Sequence, residues 1–293
     1  MIVVPEPFAA GTVARHGELG RRWLARLPEL VASLCADWGL TVDGPPTHGG
    51  IGLVVPTRRG DELSVLKVSL GDESTEHEAL ALEAWGGRGA VLLLAYRAEH
   101  EALLLERLDG ARSLQELALD EAVAVAAGLV RRLAVPAPAG LPRQADVAAR
   151  LARELPERWR QQGRPVPRGA VEAAAAAAAD LGPTDQALMV NRDLHYRNVL
   201  AGRREPWLAI DPKAIAGEPA LGLAQLLWTR LDEMGGRRGV RRVFDRLVAE
   251  VGLDRGRARG WALVWTLDYW LWGLSVGLTE DPARCAAIVE WLR

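Results

Sequence analysis

Apolar residues recur at alternate positions in the first third of the chain and at every third or fourth position beyond it, and the change falls near residue 108. Period two is the signature of half-buried strands and period 3.6 that of amphipathic helices, so the chain is bound to a small sheet-bearing part and a larger helical part. Residues 50–56 and 63–70 read as strands joined by the turn TRRGD, and 90–97 and 101–108 as a second hairpin. Between the hairpins, STEHEALALEAWG (74–86) reads as a helix with Ser74 or Thr75 as its N-cap and Gly86-Gly87 as its stop. Upstream, Leu19, Trp23, Leu27, Leu30 and Leu34 keep helical spacing over 18–38, with Pro28 expected to kink or divide that helix. Beyond 108, helices are expected at about 113–134, 144–161, 169–181, 219–235, 238–251, 255–277 and 282–292, and strands at 186–190, 198–201 and 206–210. The expected fold class is α+β in two lobes, residues 1–107 and 108–293.

Composition matters where it is uneven. Of 36 basic residues only two are lysines, Lys67 and Lys213, and the only asparagines are Asn191 and Asn198. Such avoidance makes a retained lysine or asparagine a candidate for chemistry that arginine or aspartate cannot supply. Net charge is −2, which gives no reason to expect nucleic acid or a membrane surface as partner. The cysteines, Cys35 and Cys285, fit buried thiols in a reducing cytoplasm better than a disulfide framework. No signal peptide or membrane-spanning run is expected, and the chain is read as a cytoplasmic monomer.

Both asparagines lie in VNRDLHYRNVL, residues 190–200. Asp193 precedes Asn198 by five positions, and a short strand pair then leads to Asp211. An aspartate in the first position can take a proton from a hydroxyl nucleophile, while an asparagine and a second aspartate can hold the magnesium ions that bridge nucleotide phosphates. The ordinary alternative is a surface loop whose Asp and Asn cap turns. Lys67, within SVLKVSL, is the independent partner: a lysine on such a strand can hold the phosphates if a helix glutamate positions it. Glu78 is the first candidate for that glutamate, with Glu76 and Glu83 as rivals. In HGGIG, Gly49, Gly50 and Gly52 would let backbone approach a polyphosphate. In LLLERLDG, where the two regions join, the carbonyl of Glu106 and the amide of Leu108 have the alternation needed to bond an adenine.

With these parts in order, the chain resembles the aminoglycoside phosphotransferase family, nearest its streptomycin 6-phosphotransferase and hydroxyurea phosphotransferase branch. The resemblance rests on VLKV (65–68), HEALALEAWGGRGAV (77–91), LLLERLD (103–109), VNRDLHYRNVL (190–200) and PWLAIDPKAIAGEPALG (206–222). It implies a protein-kinase-like fold and magnesium-dependent transfer of the γ-phosphate of ATP, or of GTP, to a hydroxyl. Asp193 is then implied as the catalytic aspartate, Asn198 and Asp211 as metal ligands and Lys67 as the phosphate lysine. Lys213 follows Asp211 closely enough to reach a phosphate oxygen, or is a solvated loop lysine. Two departures stand out: Asn191-Arg192-Asp193 replaces the frequent His-Gly-Asp, and Gly217-Glu218-Pro219 replaces Gly-Asp-Pro. Pro212 after Asp211 argues against an activation switch of the protein-kinase kind.

The acceptor is expected against the helical part. Trp261, Trp265, Asp268 and Trp272 share one helical face, where an aspartate could meet a cationic or hydroxyl-rich ligand, or could instead bond a neighbouring helix. Asp232, Glu233 and Glu218 are further acidic candidates. The reading is an antibiotic O-phosphotransferase with a streptomycin-like acceptor. Its alternatives are a metabolic or biosynthetic kinase of a sugar, cyclitol or amino alcohol, and a nucleotide-binding pseudokinase.

Overall fold

The computed structural model describes residues 2–71 and 75–292, so Ser74, one of the two expected helix caps, lies outside the described residues. The chain divides into two compact units, Met1–Gly87 with Val91–Leu108, and Arg88–Ala90 with Asp109–Arg293. The short piece 88–90 belongs to the second unit because Ala90 bridges to Ala209 there.

In the first unit, α1 (Glu6–Asp37) begins well before the expected helix. Its break lies at Gly17 (φ 55°), a conformation that a residue without Cβ takes at little cost, and not at Pro28, which sits inside the helical run. Proline removes one amide donor, and the packing of Leu27, Val31 and Leu34 on the sheet outweighs that loss. The strands are β1 (Thr41–Val42), β2 (Thr47–His48), β3 (Gly52–Arg59) and β4 (Glu62–Ser69), then β5 (Leu93–Arg97) and β6 (Ala102–Glu106) after α2 (Glu78–Trp85). They form one antiparallel sheet in the order β1-β3-β4-β6-β5, with β2 also paired to β3. Leu53, Val55, Leu66, Val68 and Ala102 meet α1 in a buried core. Helix α2 starts later than expected, with His77 rather than Thr75 at its N-cap and no side-chain cap there, and ends at Gly86 in the left-handed region (φ 54°).

The second unit carries β7 (Asp109–Ser113), α3 (Leu119–Leu133), α4 (Gln144–Gln161), α5 (Arg168–Leu181), β8 (Leu188–Asn191), β9 (Val199–Ala201), β10 (Trp207–Ala209) and β11 (Ala214–Gly217). Helices α6 (Ala224–Trp228), α7 (Arg237–Val251), α8 (Arg255–Ser275) and α9 (Glu280–Leu292) follow. The single helix expected over 219–235 is instead α6 between two short 3-10 turns. Two strands of this unit, β7 and β11, are not expected from the residue pattern. They matter for the site. β11 pairs with β8 (Asn191 opposite Ala214) and β9 pairs with β10 (Val199 opposite Ala209), so two ribbons bracket the segment 192–213.

Leu66 is fully buried in β4, an interior strand between β3 and β6. Leu66→Ala should lower stability by about 2–5 kcal/mol, the range for emptying a packed leucine site, measured as a fall in the denaturation midpoint.

Candidate active site

The first unit contributes an ion pair. Lys67 stands opposite Val54 on β3 and Leu103 on β6, so it is an interior residue and not the solvent-facing lysine of a sheet edge. Its Nζ lies 2.7 Å from both carboxylate oxygens of Glu78, the first residue of α2. Lys67 is 6% exposed and Glu78 5%, so each charge has lost most of its water and depends on the other. Of the three glutamates weighed for this partnership, Glu78 makes it. Gly52 lies against the lysine: a Cβ there would stand 3.0 Å from Lys67 Cε and 2.8 Å from Ser69 Oγ. Gly49 and Gly50 lie in the turn between β2 and β3, where Gly49 N–H donates to Gly52 O (3.1 Å) and Arg15 donates to Gly50 O. Glu106 closes β6. Its amide donates to Leu92 O (3.0 Å) and its carboxylate accepts from Leu92 N–H (2.8 Å), while Leu108 is the last residue of the unit.

In the second unit the loop after β8 is pinned by one side chain. Asn191 Oδ1 accepts from the amides of Asp193 (3.0 Å) and Lys213 (3.2 Å), and Arg192 N–H donates to Lys213 O (3.1 Å). Asn191 therefore braces the loop through backbone. Asp193 is held at both oxygens: Gln225 of α6 donates to Oδ1 and Lys213 Nζ lies 2.8 Å from Oδ2. Burial works against the Asp193 charge, but Lys213 first, then His195 and Arg192, outweigh it and hold the carboxyl below its ordinary value. Burial also pushes the His195 imidazole down, against the pull of Asp193. Lys213 thus sits on Asp193, a placement its sequence position alone did not specify.

Asn198 and Asp211 come together through the β9–β10 ribbon, since Ile210 N–H donates to Asn198 O (2.9 Å). Asn198 Nδ2 donates to Asp193 O (3.1 Å), a bond that uses the nitrogen and not the carbonyl oxygen a cation would take. Asp211 adopts φ 49°, a left-handed conformation that non-glycine residues rarely hold and that clusters at functional sites. A carboxylate and an amide oxygen so placed are a hard-oxygen donor set that fits magnesium, which takes one or two such ligands beside substrate phosphates.

The acidic acceptor candidates are all engaged with arginines of the same unit. Glu218 is buried, with its oxygens on Arg257 Nε (2.6 Å) and Nη2 (2.8 Å) and on Trp261 Nε1 (2.5 Å), while its amide donates to Gln144 Oε1 (2.9 Å). It braces β11 to α4 and α8 and is not free to meet a ligand. Gly217 before it has no room for a side chain, because a Cβ would stand 2.5 Å from Gln144 Oε1. Asp268 pairs with Arg158 of α4, Asp232 with Arg284 of α9 and Glu233 with Arg230. Asp268 is thus bonded to a neighbouring helix. The face it was expected to share with three tryptophans is graded: Trp261 and Trp265 are buried, and Trp272 is 46% exposed. Trp272 instead continues an aromatic ladder from Trp228 through Tyr269, with centroids 4.9 and 5.2 Å apart. Sequence reasoning missed Gln225, Arg257 and Arg158. Each acts through a contact with a residue at least 32 positions away, which no local pattern encodes.

Among solved structures, an aminoglycoside phosphotransferase, APH(4)-Ia, in ternary complex with AMP-PNP and hygromycin B matches with TM-score 0.62 at 18% identity, over 89% of this chain and 97% of that one. A choline kinase of Streptococcus pneumoniae matches with TM-score 0.58 at 11% identity, over 91% and 99%. The fold is therefore the two-lobed, protein-kinase-like α+β fold of small-molecule kinases. The profile of the aminoglycoside/hydroxyurea antibiotic resistance kinases matches residues 37–277, and the chain belongs to that family. It is 41% identical to the streptomycin 6-kinase of Streptomyces griseus over 99% of this chain and 97% of that protein. It is 40% identical to the hydroxyurea phosphotransferase of Kitasatospora aureofaciens over 100% and 86%.

Removing the Glu218 carboxylate leaves Arg257 and Trp261 Nε1 without their acceptor. Glu218→Ala should therefore cost about 3 kcal/mol, the lower end for breaking a buried pair because Arg257 is a third exposed. Thermal denaturation would show the loss, and the KM for nucleotide in the remaining folded protein should be unchanged.

Proposed function

We propose that the protein transfers the γ-phosphoryl group of ATP to a hydroxyl of a streptomycin-like aminoglycoside acceptor, in the cytoplasm and as a monomer. The observation that carries this reading is the doubly held carboxylate of Asp193, on a loop beside Asn198 and Asp211. The streptomycin 6-kinase of Streptomyces griseus, matched over nearly the full length of both chains, supports the choice of acceptor.

Each residue has a task in this reading. Lys67, fixed by Glu78, donates to nucleotide phosphate oxygens, and Gly49, Gly50 and Gly52 form a turn whose backbone approaches them. Glu106 and Leu108 offer main-chain groups to the adenine. Asn198 and Asp211 hold magnesium, which when bound neutralises charge on the phosphates undergoing transfer. Asp193 accepts a hydrogen bond from the acceptor hydroxyl, orients its oxygen for attack and takes its proton as the new bond to the γ-phosphorus forms and the bond to the β–γ bridging oxygen breaks, leaving ADP. Its depressed pKa keeps it ionised near neutrality, the state that can accept a proton. Lys213 pairs with Asp193 and lies close enough in sequence to Asp211 to serve a phosphate oxygen of the nucleotide. Glu218 and Asp268 serve the fold. The intact set Lys67, Asp193, Asn198 and Asp211 speaks against a pseudokinase.

With streptomycin and Mg-ATP as substrates, Asp193→Ala should cut kcat by about 10²–10⁴ and leave nucleotide affinity near wild type. Turnover by this variant at the wild-type rate would remove Asp193 from the chemistry. Lys67→Ala and Asp211→Ala should each shrink the stabilisation that Mg-ATP gives in a thermal-shift assay, because ligand that binds the folded state more weakly raises Tm less.

A further inference from the structure

The loop that carries Asp193 also carries a cation that makes no ion pair among the described residues. Arg192 lies immediately before Asp193, and its guanidinium stacks on the Trp265 ring at 4.9 Å. No hydrogen bond or ion pair reaches that guanidinium among the described residues. The contrast with its surroundings is sharp. Asp268, whose charge acts on Arg192, is paired with Arg158, and Glu218, Asp232 and Glu233 are each paired with other arginines. Both oxygens of Asp193 are held by Gln225 and Lys213. Loss of water pulls the Arg192 pKa down, with Asp193 and Asp268 pulling the other way. A guanidinium has five N–H donors and no acceptor, so one that is stacked, partly desolvated and without an acceptor among the described residues is arranged to meet acceptor atoms of a ligand.

Two ligands come to this loop in the proposed reaction. The phosphate side has its own cation, since Lys213 stands two residues after Asp211 and already lies on Asp193 Oδ2. Arg192 instead lies on Trp265 of α8. We propose that Arg192 is a specificity-determining residue of the acceptor site, donating to a second oxygen that stands beside the hydroxyl receiving the phosphoryl group. This rests on the kinase reading above and adds to it the chemical class of the acceptor: a compound with neighbouring oxygens, such as a vicinal diol of a cyclitol ring or a hydroxyl next to a carbonyl. Trp265 holds the guanidinium plane in place, so the second oxygen selects which hydroxyl faces Asp193. The carboxylates first suspected of binding the acceptor as a cation are occupied within the fold.

The test is steady-state kinetics of the full chain with Mg-ATP and either streptomycin or hydroxyurea as acceptor, for wild type, Arg192→Gln and Arg192→Lys. Arg192→Gln should raise KM for the acceptor at least about tenfold, the loss of one charge-assisted hydrogen bond, with KM for ATP unchanged. Arg192→Lys, which keeps the charge but not the planar fork, should recover part of that loss and serves if the glutamine variant does not fold. A rise in KM for ATP with acceptor KM unchanged would overturn the proposal and assign the guanidinium to the nucleotide phosphates. Unchanged KM values with a lowered Tm would also overturn it and make Arg192 a packing residue. Absence of turnover of both acceptors by the wild-type protein would instead strike the proposed function itself, and the inference with it.

Discussion

One amide oxygen sets the geometry on which the second unit's chemistry depends. Asn191 Oδ1 accepts two backbone amides, from Asp193 on its own loop and from Lys213 on the return segment. Those two bonds tie the end of β8 to the start of β11 and fix where the Asp193 and Lys213 side chains emerge. Asparagine suits the task because its amide oxygen is neutral and has two lone pairs. A carboxylate there would add a second negative charge beside Asp193 and raise its pKa. The side chain is buried, so both bonds form away from competing water, where an unmade bond is costly.

Within each unit the buried and half-buried charges are arranged in pairs. Lys67 with Glu78, Lys213 with Asp193, Arg257 with Glu218 and Arg158 with Asp268 each place one buried or half-buried carboxylate against one cation. Partial burial makes isolated charges expensive, so pairing is the condition for keeping them at all. The pairs differ in what they leave available. Glu218 is saturated by Arg257, Trp261 and Gln144 and works as a joint between elements. Asp193 is held at the ends of two side chains, Gln225 and Lys213, one on each carboxylate oxygen. Substituting glutamate for the aspartate common after such a glycine lengthens the carboxylate by one methylene, enough to reach Arg257 and Trp261 on α8.

The rare residues carried much of what could be read without coordinates. The two lysines and two asparagines sit at Lys67, Lys213, Asn191 and Asn198, and each has a defined bonding role in the fold. The period-two and period-3.6 patterns located most of the sheet of the first unit and most helices of the second, because burial of one face leaves its mark on consecutive residues. The pattern missed β7 and β11, and it failed where a helix is interrupted, as at 219–235. It also misplaced the break in α1, because a proline is a visible helix breaker while Gly17 is one glycine among many.

By itself the sequence determined the α+β class and the order of the parts, and it singled out Lys67, Asp193, Asn198 and Asp211 as candidates, because each lies in a local pattern that can be read without its neighbours in space. Tertiary structure alone decided which glutamate meets Lys67, which side chains grip Asp193 and which carboxylates are already committed. Glu78 opens α2 and points at Lys67, whereas Glu76 precedes the helix and Glu83 lies further along it, and Gln225 meets Asp193 only because of where α6 delivers it. Asp268 carries a spacing that suits ligand binding, yet Arg158, 110 positions earlier in the chain, occupies it. Side-chain pairing depends on distances of a few ångströms between elements far apart in sequence, and those distances are set by how the elements pack, which no periodicity of residues records.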